Sequence, residues 1–146
     1  VWLGDGNNMC HSYMNAARIF NFQLIVSCPK EFVPNSEIFE SSKKNTSIEH
    51  DPYKAADGAD LIITDVWASM GKEDEQRDRK EKFIKYQVNS EIMSCAKDNA
   101  LFMHCLPAHR GEEVTEDVLE GPQSIVWEEA GNRLHSQKAL LEFLLM

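Results

Sequence analysis

Four stretches of this 146-residue chain carry residue types that could do chemistry. His104-Cys105-Leu106-Pro107 places an imidazole and a thiol directly after the apolar run Ala100-Leu101-Phe102-Met103. Asp65 is followed closely by Ser69-Met70-Gly71, and Gly4-Asp5-Gly6-Asn7-Asn8 offers a carboxylate and two amides. Arg133 stands just after Ala130-Gly131-Asn132. A carboxylate such as Asp65 beside a Ser-Met-Gly loop could hold an ammonium group, with Gly71 as hinge. An amide such as Asn8 at a helix start, with free N–H groups nearby, could hold a carboxylate. Together they describe a clamp for the two charged ends of an α-amino acid. The planar fork of Arg133 could grip a phosphate or a carbonyl oxygen.

Each residue also has an ordinary explanation. Asp65 suits a turn or cap, Asn8 an N-cap, and Ser69-Met70-Gly71 a plain loop with Met70 on the core. Arg133 could pair with Glu128 or Glu129. His104 could be a satisfied neighbour and Cys105 a packed core thiol. Zinc held by His104, Cys105 and His109 is disfavoured, because the spacing suits no common site.

What favours the functional reading is convergence, and that depends on the elements. Residues 100–104 read as a buried central strand delivering His104 and Cys105 to its carboxyl edge. Val1-Trp2-Leu3 reads as a strand, 23–27 as a second, and the β-branched run Asp60-Leu-Ile-Ile-Thr64 as a third. The apolar run Ser124-Ile-Val-Trp127 reads as a fifth. Helices are expected over 9–20, with Met9, Tyr13, Ala16 or Ala17, and Phe20 on one face and Asn7 or Asn8 as cap. Further helices are expected over 32–40, 52–56 with Pro52 in the first turn, 73–85, 90–97, part of 112–120, and 130–146. Segment 41–50 reads as a polar surface excursion. The 73–85 helix has acid-first i,i+4 pairs, Glu73 with Arg77, Glu75 with Arg79, and Asp78 with Lys82, and reads as a solvated face. Alternating strands and helices predict a three-layer αβα fold on a mostly parallel sheet of about five strands. Parallel strands would bring Asp5, Asn8, Asp65, Ser69, Met70, His104 and Cys105 to one edge, where open α/β sheets bind ligands.

Composition narrows the function classes. The formal charge of -9 argues against a nucleic-acid surface. No apolar span is long enough for a membrane helix, and nothing resembles a secretory signal. Four scattered cysteines, without a Cys-x-x-Cys pair, favour reduced thiols and a cytoplasmic protein. Gly4-x-Gly6 suggests a dinucleotide turn, but Met9 replaces the third glycine and Cys28-Pro29 follows the second strand where a ribose-binding acid is expected. The chain starts mid-strand at Val1 and ends in an apolar helix, so it is expected to be a piece of a longer protein.

Asp65-Val-Trp-Ala-Ser69-Met70-Gly71, His104-Cys105-Leu106-Pro107 and Glu-Ala-Gly-Asn132-Arg133 closely resemble the ornithine carbamoyltransferases, and Gly4-Asp5-Gly6-Asn7-Asn8 matches in the same order. Gly131 stands where that family usually has Glu. The resemblance covers essentially the whole chain and implies a Rossmann-like fold of the aspartate/ornithine carbamoyltransferase type. It implies that residues 1–146 form the second, ornithine-binding domain. The first domain, with its Ser-Thr-Arg-Thr-Arg phosphate loop and His-Pro-x-Gln motif, has no counterpart in this sequence. By that resemblance, Asn8 and Asp65, with Ser69 and the Met70 backbone, hold the α-carboxylate and α-ammonium end of L-ornithine. Cys105 sits beside the δ-amine and the carbamoyl group, as acceptor or orienter. Leu106 offers its backbone carbonyl to the carbamoyl amide across a bond to Pro107 expected to be cis. Arg133 polarises the carbamoyl carbonyl. The implied reaction transfers the carbamoyl group of carbamoyl phosphate to ornithine, giving L-citrulline and phosphate in arginine metabolism. No cofactor or metal is implied, the full enzyme is expected to be a cytoplasmic homotrimer, and the isolated chain is expected to be inactive. The alternative is a stand-alone amino-acid-binding or regulatory module. The closing helix separates the two: it packs on its own sheet in a module and crosses to another domain in the enzyme.

Overall fold

A computed structural model of the chain describes residues 1–67 and 73–146, the side chains of 73–76 excepted. Its sheet is built from five short strands: β1 (Trp2–Leu3), β2 (Leu24–Ser27), β3 (Thr46–Ile48), β4 (Leu61–Thr64) and β5 (Leu101–His104). They run in the order β3-β2-β1-β4-β5, and every pairing is parallel; β5, expected to be a buried central strand, is therefore an edge strand, with Leu101 exposed. The chain therefore winds outward from β1 in one direction, then returns to β1 and winds in the other. The switch point lies between β1 and β4, where such sheets open a crevice at their carboxyl ends.

Side-chain alternation along the strands divides the core in two. Leu3, Ile62 and Phe102 point to one face, where they meet Ala56 of α3 (Pro52–Ala56), Ile92 of α5 (Ser90–Cys95), Val118 of α6 (Glu116–Leu119) and Val126 of α7 (Val126–Leu145). Trp2, Val26 and Ile63 point to the other, against Cys10, Met14 and Ala17 of α1 (Asn8–Phe20). Ile38 and Phe39 of α2 (Ser36–Ser42) pack at the border of that second core. The result is the expected αβα sandwich. Beyond the carboxyl edge of the sheet, Trp67, Phe83 and Tyr86 form a third, aromatic cluster with Phe32. Phe83 closes α4 (Glu73–Phe83).

Caps set where the helices begin. The side chains of Asn7, Asn35, Asp51 and Asn89 each accept backbone N–H groups of the helix that follows. Such a cap contributes about 1 kcal/mol. The buried face of α1 is Cys10, Met14 and Ala17: Ala17 lies on the expected face, Cys10 and Met14 stand one position round from the expected Met9 and Tyr13, and Phe20 is exposed. Small Cys10 fits flat against the sheet, while Met9 and Tyr13 pack along its margin.

The strand expected over 124–127 is not one. Phe102 N–H donates to the Gln123 carbonyl and Ile125 N–H to the Phe102 carbonyl, so the segment bridges β5 at a single residue, Ser124. Glu129 N–H then donates to the Ile125 carbonyl, and α7 starts at Val126, four residues earlier than expected. A short apolar run does not by itself distinguish a buried strand from a buried helix start. The fifth strand is instead β3, inside the segment read as a polar excursion. It is an edge strand, and only Thr46 is buried. The helix expected over 32–40 is displaced to α2, behind a 3-10 turn at Lys30–Phe32 and Pro34.

From residue 134 onward every residue of α7 is exposed. Leu134, Leu140, Leu141, Phe143, Leu144 and Leu145 are exposed, Phe143 at 81% and Leu145 at 83%. Among the described residues, no helix is long and apolar enough to cross a membrane.

Candidate active site

Asp65, the residue after β4, is the hub of the carboxyl edge. Its Oδ2 accepts from Asn7 Nδ2 at 3.1 Å. Its Oδ1 accepts from Cys105 Sγ at 3.3 Å and from the Val66 N–H at 2.8 Å. Asn7 in turn uses Oδ1 to cap α1, accepting from the Met9 and Cys10 N–H groups at 2.9 and 3.1 Å. One amide side chain thus ties the start of α1 to the carboxylate across the switch point. Carboxylate, amide and thiol share one rim, as the sequence suggests. The amide touching Asp65 is Asn7, while Asn8 is the first residue of α1 and is exposed. Ser69, Met70 and Gly71 lie outside the described residues.

The rim is acidic. Cys105 is pushed up to about 12, first by desolvation, then by the Asp65 charge and hydrogen bond, with a further push from Glu129. At neutral pH this group is a thiol that donates to Asp65. Tyr13 is likewise pushed up to about 12, by burial and then by Glu129, Cys105 and Asp65. Burial raises the Glu129 carboxyl, opposed by the hydrogen bond from the His104 N–H (3.1 Å) and by the His104 ring. Tyr13 and Glu129 are site neighbours that the sequence did not single out. Tyr13 sits one helical turn after Met9 on the margin of α1, a position that reads as ordinary packing.

His104 takes its ordinary role. It is fully buried, its Nδ1 accepts the Leu106 N–H at 3.0 Å, and its Nε2 faces Glu113 Oε1 at 3.1 Å. The proton therefore belongs on Nε2, donated to the carboxylate. Glu113, also fully buried, accepts the His109 N–H at 2.6 Å with the same oxygen. These contacts hold the turn that presents Cys105 and Leu106. Leu106 has a φ of 51°, and its bond to Pro107 is cis.

Two groups of potential ligand atoms lie close together, Asp65, His104 and Cys105 in one and His109, Glu112 and Glu113 in the other. His104, Cys105 and His109, the trio weighed for zinc, are divided between them, and both His104 nitrogens are engaged. Arg133 lies on the first half of α7 and is exposed. It lines a cleft of about 560 Å³ with Cys105, Leu106, Pro107, Arg110 and Trp127. Glu129, one of the acids suggested as its partner, is turned to the His104 N–H instead. The acidic rim and a guanidinium cleft therefore meet at Cys105, the first suited to an ammonium group and the second to an anionic or carbonyl oxygen.

A sequence profile of the family described as aspartate/ornithine carbamoyltransferase, Asp/Orn binding domain, matches residues 1–144. The ornithine carbamoyltransferase of Methylococcus capsulatus is 58% identical over 145 residues, 99% of this chain and 49% of the relative. The anabolic enzyme of Pseudomonas aeruginosa is 53% identical over 145 residues, covering 99% of this chain and 48% of its own length. Among solved structures, ornithine carbamoyltransferase from Pyrococcus furiosus superposes with a TM-score of 0.91 at 46% identity, over 96% of this chain and 47% of that one. The anabolic enzyme from Campylobacter jejuni gives 0.92 at 38% identity, over 98% and 50%. The chain spans about half the length of the curated relatives it matches. It belongs to the Asp/Orn-binding domain family of the aspartate/ornithine carbamoyltransferases.

Proposed function

We propose that this chain is the ornithine-binding half of an ornithine carbamoyltransferase, which transfers the carbamoyl group of carbamoyl phosphate to the δ-amine of L-ornithine in arginine metabolism. The observation that carries the reading is the Asp65 carboxylate at the switch point, held by Asn7 on one oxygen and by Cys105 on the other. With the Glu129 charge also acting on Cys105, this is an environment for a cationic amino acid. Asp65 and the amides at the start of α1, Asn7 and Asn8, take the amino-acid end, with Ser69 and Met70. Cys105 lies beside the δ-amine. Because it is a neutral thiol whose proton points to Asp65, it orients the amine rather than attacking the substrate. The Leu106 carbonyl holds the carbamoyl amide. Arg133, across the same cleft, stabilises the charge that develops on the carbamoyl oxygen as the amine adds and phosphate leaves.

The exposed apolar side chains of α7 support a second domain that supplies the phosphate-binding residues, since a stand-alone module would leave that surface in water. The cytoplasmic homotrimer rests on the family resemblance. The test is a product assay on the full-length protein and on this chain alone. Citrulline from carbamoyl phosphate and ornithine, made by the full-length protein and not by the chain, is the expected result. Carbamoylation of aspartate but not ornithine, or citrulline made by the isolated chain, would overturn the reading.

A further inference from the structure

We propose that Glu129 is a positioning residue for Arg133, an inference that rests on the reading above. The helix that carries both has little hold on its own domain. Within α7, Val126 is buried, Glu129 is half-buried and every other residue is exposed. Val126 sits in the core with Phe102. Glu129 follows it by three positions and Arg133 by seven, so the three share one stripe of the helix.

The outer edge of β5 shows what the carboxylate is for. Alternate residues of an edge strand turn their N–H and C=O groups outward. Phe102 finds backbone partners there: its N–H donates to the Gln123 carbonyl, and its carbonyl accepts the Ile125 N–H. The chain then turns into α7. The His104 N–H, two residues on, donates instead to Glu129 Oε2 at 3.1 Å. A side chain thus continues the ladder where the backbone leaves it. His104 is fully buried, so without that acceptor its N–H would be stranded away from water. Cys105 and Leu106 follow His104 directly and line the same cleft as Trp127, Ala130 and Arg133. The bond from His104 to Glu129 therefore ties the wall carrying the thiol and the Leu106 carbonyl to the wall carrying the guanidinium, one helical turn before Arg133. It fixes how far Arg133 stands from the carbamoyl group. The place needs an acceptor oxygen of that reach. Glutamine supplies one, aspartate keeps the charge but is a methylene shorter, and alanine supplies neither.

The experiment uses the full-length protein with Glu129→Gln, Glu129→Asp, Glu129→Ala, Arg133→Met, and Glu129→Ala combined with Arg133→Met. Steady-state kinetics are run against both substrates, with thermal unfolding alongside. We expect Glu129→Ala to lower kcat about tenfold or more, Glu129→Asp to fall nearly as far, and Glu129→Gln to recover most of the loss. Glutamine and alanine both remove the charge, so the gap between them reads the hydrogen bond alone. In the Arg133→Met background Glu129→Ala should cost no further kcat, because the two residues act through one group. A merely structural role would lower the unfolding temperature and the active fraction, and its loss would multiply with that of Arg133→Met. Should Glu129→Ala fail to fold, aspartate against glutamine carries the test: a lower kcat with aspartate supports the proposal, and an equal or higher one overturns it. Wild-type protein that makes no citrulline overturns the underlying reading. Active wild type with equal kcat in the glutamine and alanine variants, or with losses that multiply, overturns this inference alone.

Discussion

The Cys105 sulfur donates to Asp65 Oδ1 across 3.3 Å, and the direction of that bond decides the chemistry of the rim. The carboxylate keeps the charge and the sulfur keeps the proton. A reactive-looking thiol at the surface of an α/β sheet edge is thereby held as a neutral donor.

Cys105 should accordingly be slow to alkylate. A group pushed up to about 12 is protonated at every pH below that value and yields thiolate only as the pH approaches it. At pH 8 its thiolate fraction is about a thousandfold below that of a thiol at its ordinary value. Asp65→Asn removes the charge but not the desolvation, which is the larger cause. The Cys105 pKa should therefore fall part of the way. The rate with iodoacetamide at pH 8, followed at Cys105 by peptide mass spectrometry, should rise about tenfold. A rate unchanged by the substitution would show that Asp65 does not hold the proton.

Gly6 is fixed by close approach of backbone. A Cβ built there would lie 2.4 Å from the Pro34 nitrogen and 2.7 Å from the Phe32 carbonyl oxygen, the oxygen that accepts the Gly6 N–H. Gly6→Ala should therefore cost about 3 kcal/mol in denaturant unfolding and displace Asn7, the next residue, from Asp65. A loss under about 0.5 kcal/mol would mean that the turn yields without strain. Gly131, by contrast, meets nothing within 4 Å of its added Cβ, so the Glu usual in the family at that place is sterically free to stand there.

Much of this was legible in the sequence because local rules and tertiary placement agree. Runs such as Leu61–Thr64 and Leu101–His104 are apolar, and both are parallel strands, the first inside the sheet and the second at its edge, not central as the sequence suggests. Asn89 and Asp51 cap the helices they precede. Edge strand β3 was hidden because a strand covered on so little of its surface can carry Thr-Ser with no apolar alternation. Residues 124–127 misled for the opposite reason: a mostly apolar run, they begin a helix after touching β5 once. At the site, Asp65 and Cys105 could be named from strand ends. The choice between Asn7 and Asn8 turns on which residue is the cap and which the first helical position, a one-residue difference that spacing does not resolve. Glu129 was masked by its setting, since an acid four residues before Arg133 reads as half of a surface pair, and only the fold brings the His104 N–H to it.

The most direct test of the account is the ornithine dependence of Asp65→Ala in the full-length protein. If the Asp65 carboxylate holds the substrate's ammonium group, losing it removes about 2 kcal/mol of charge-assisted binding, roughly a thirtyfold rise in the KM for ornithine. The KM for carbamoyl phosphate should stay where it is. An ornithine KM equal to that of the wild type would contradict the assignment at its centre.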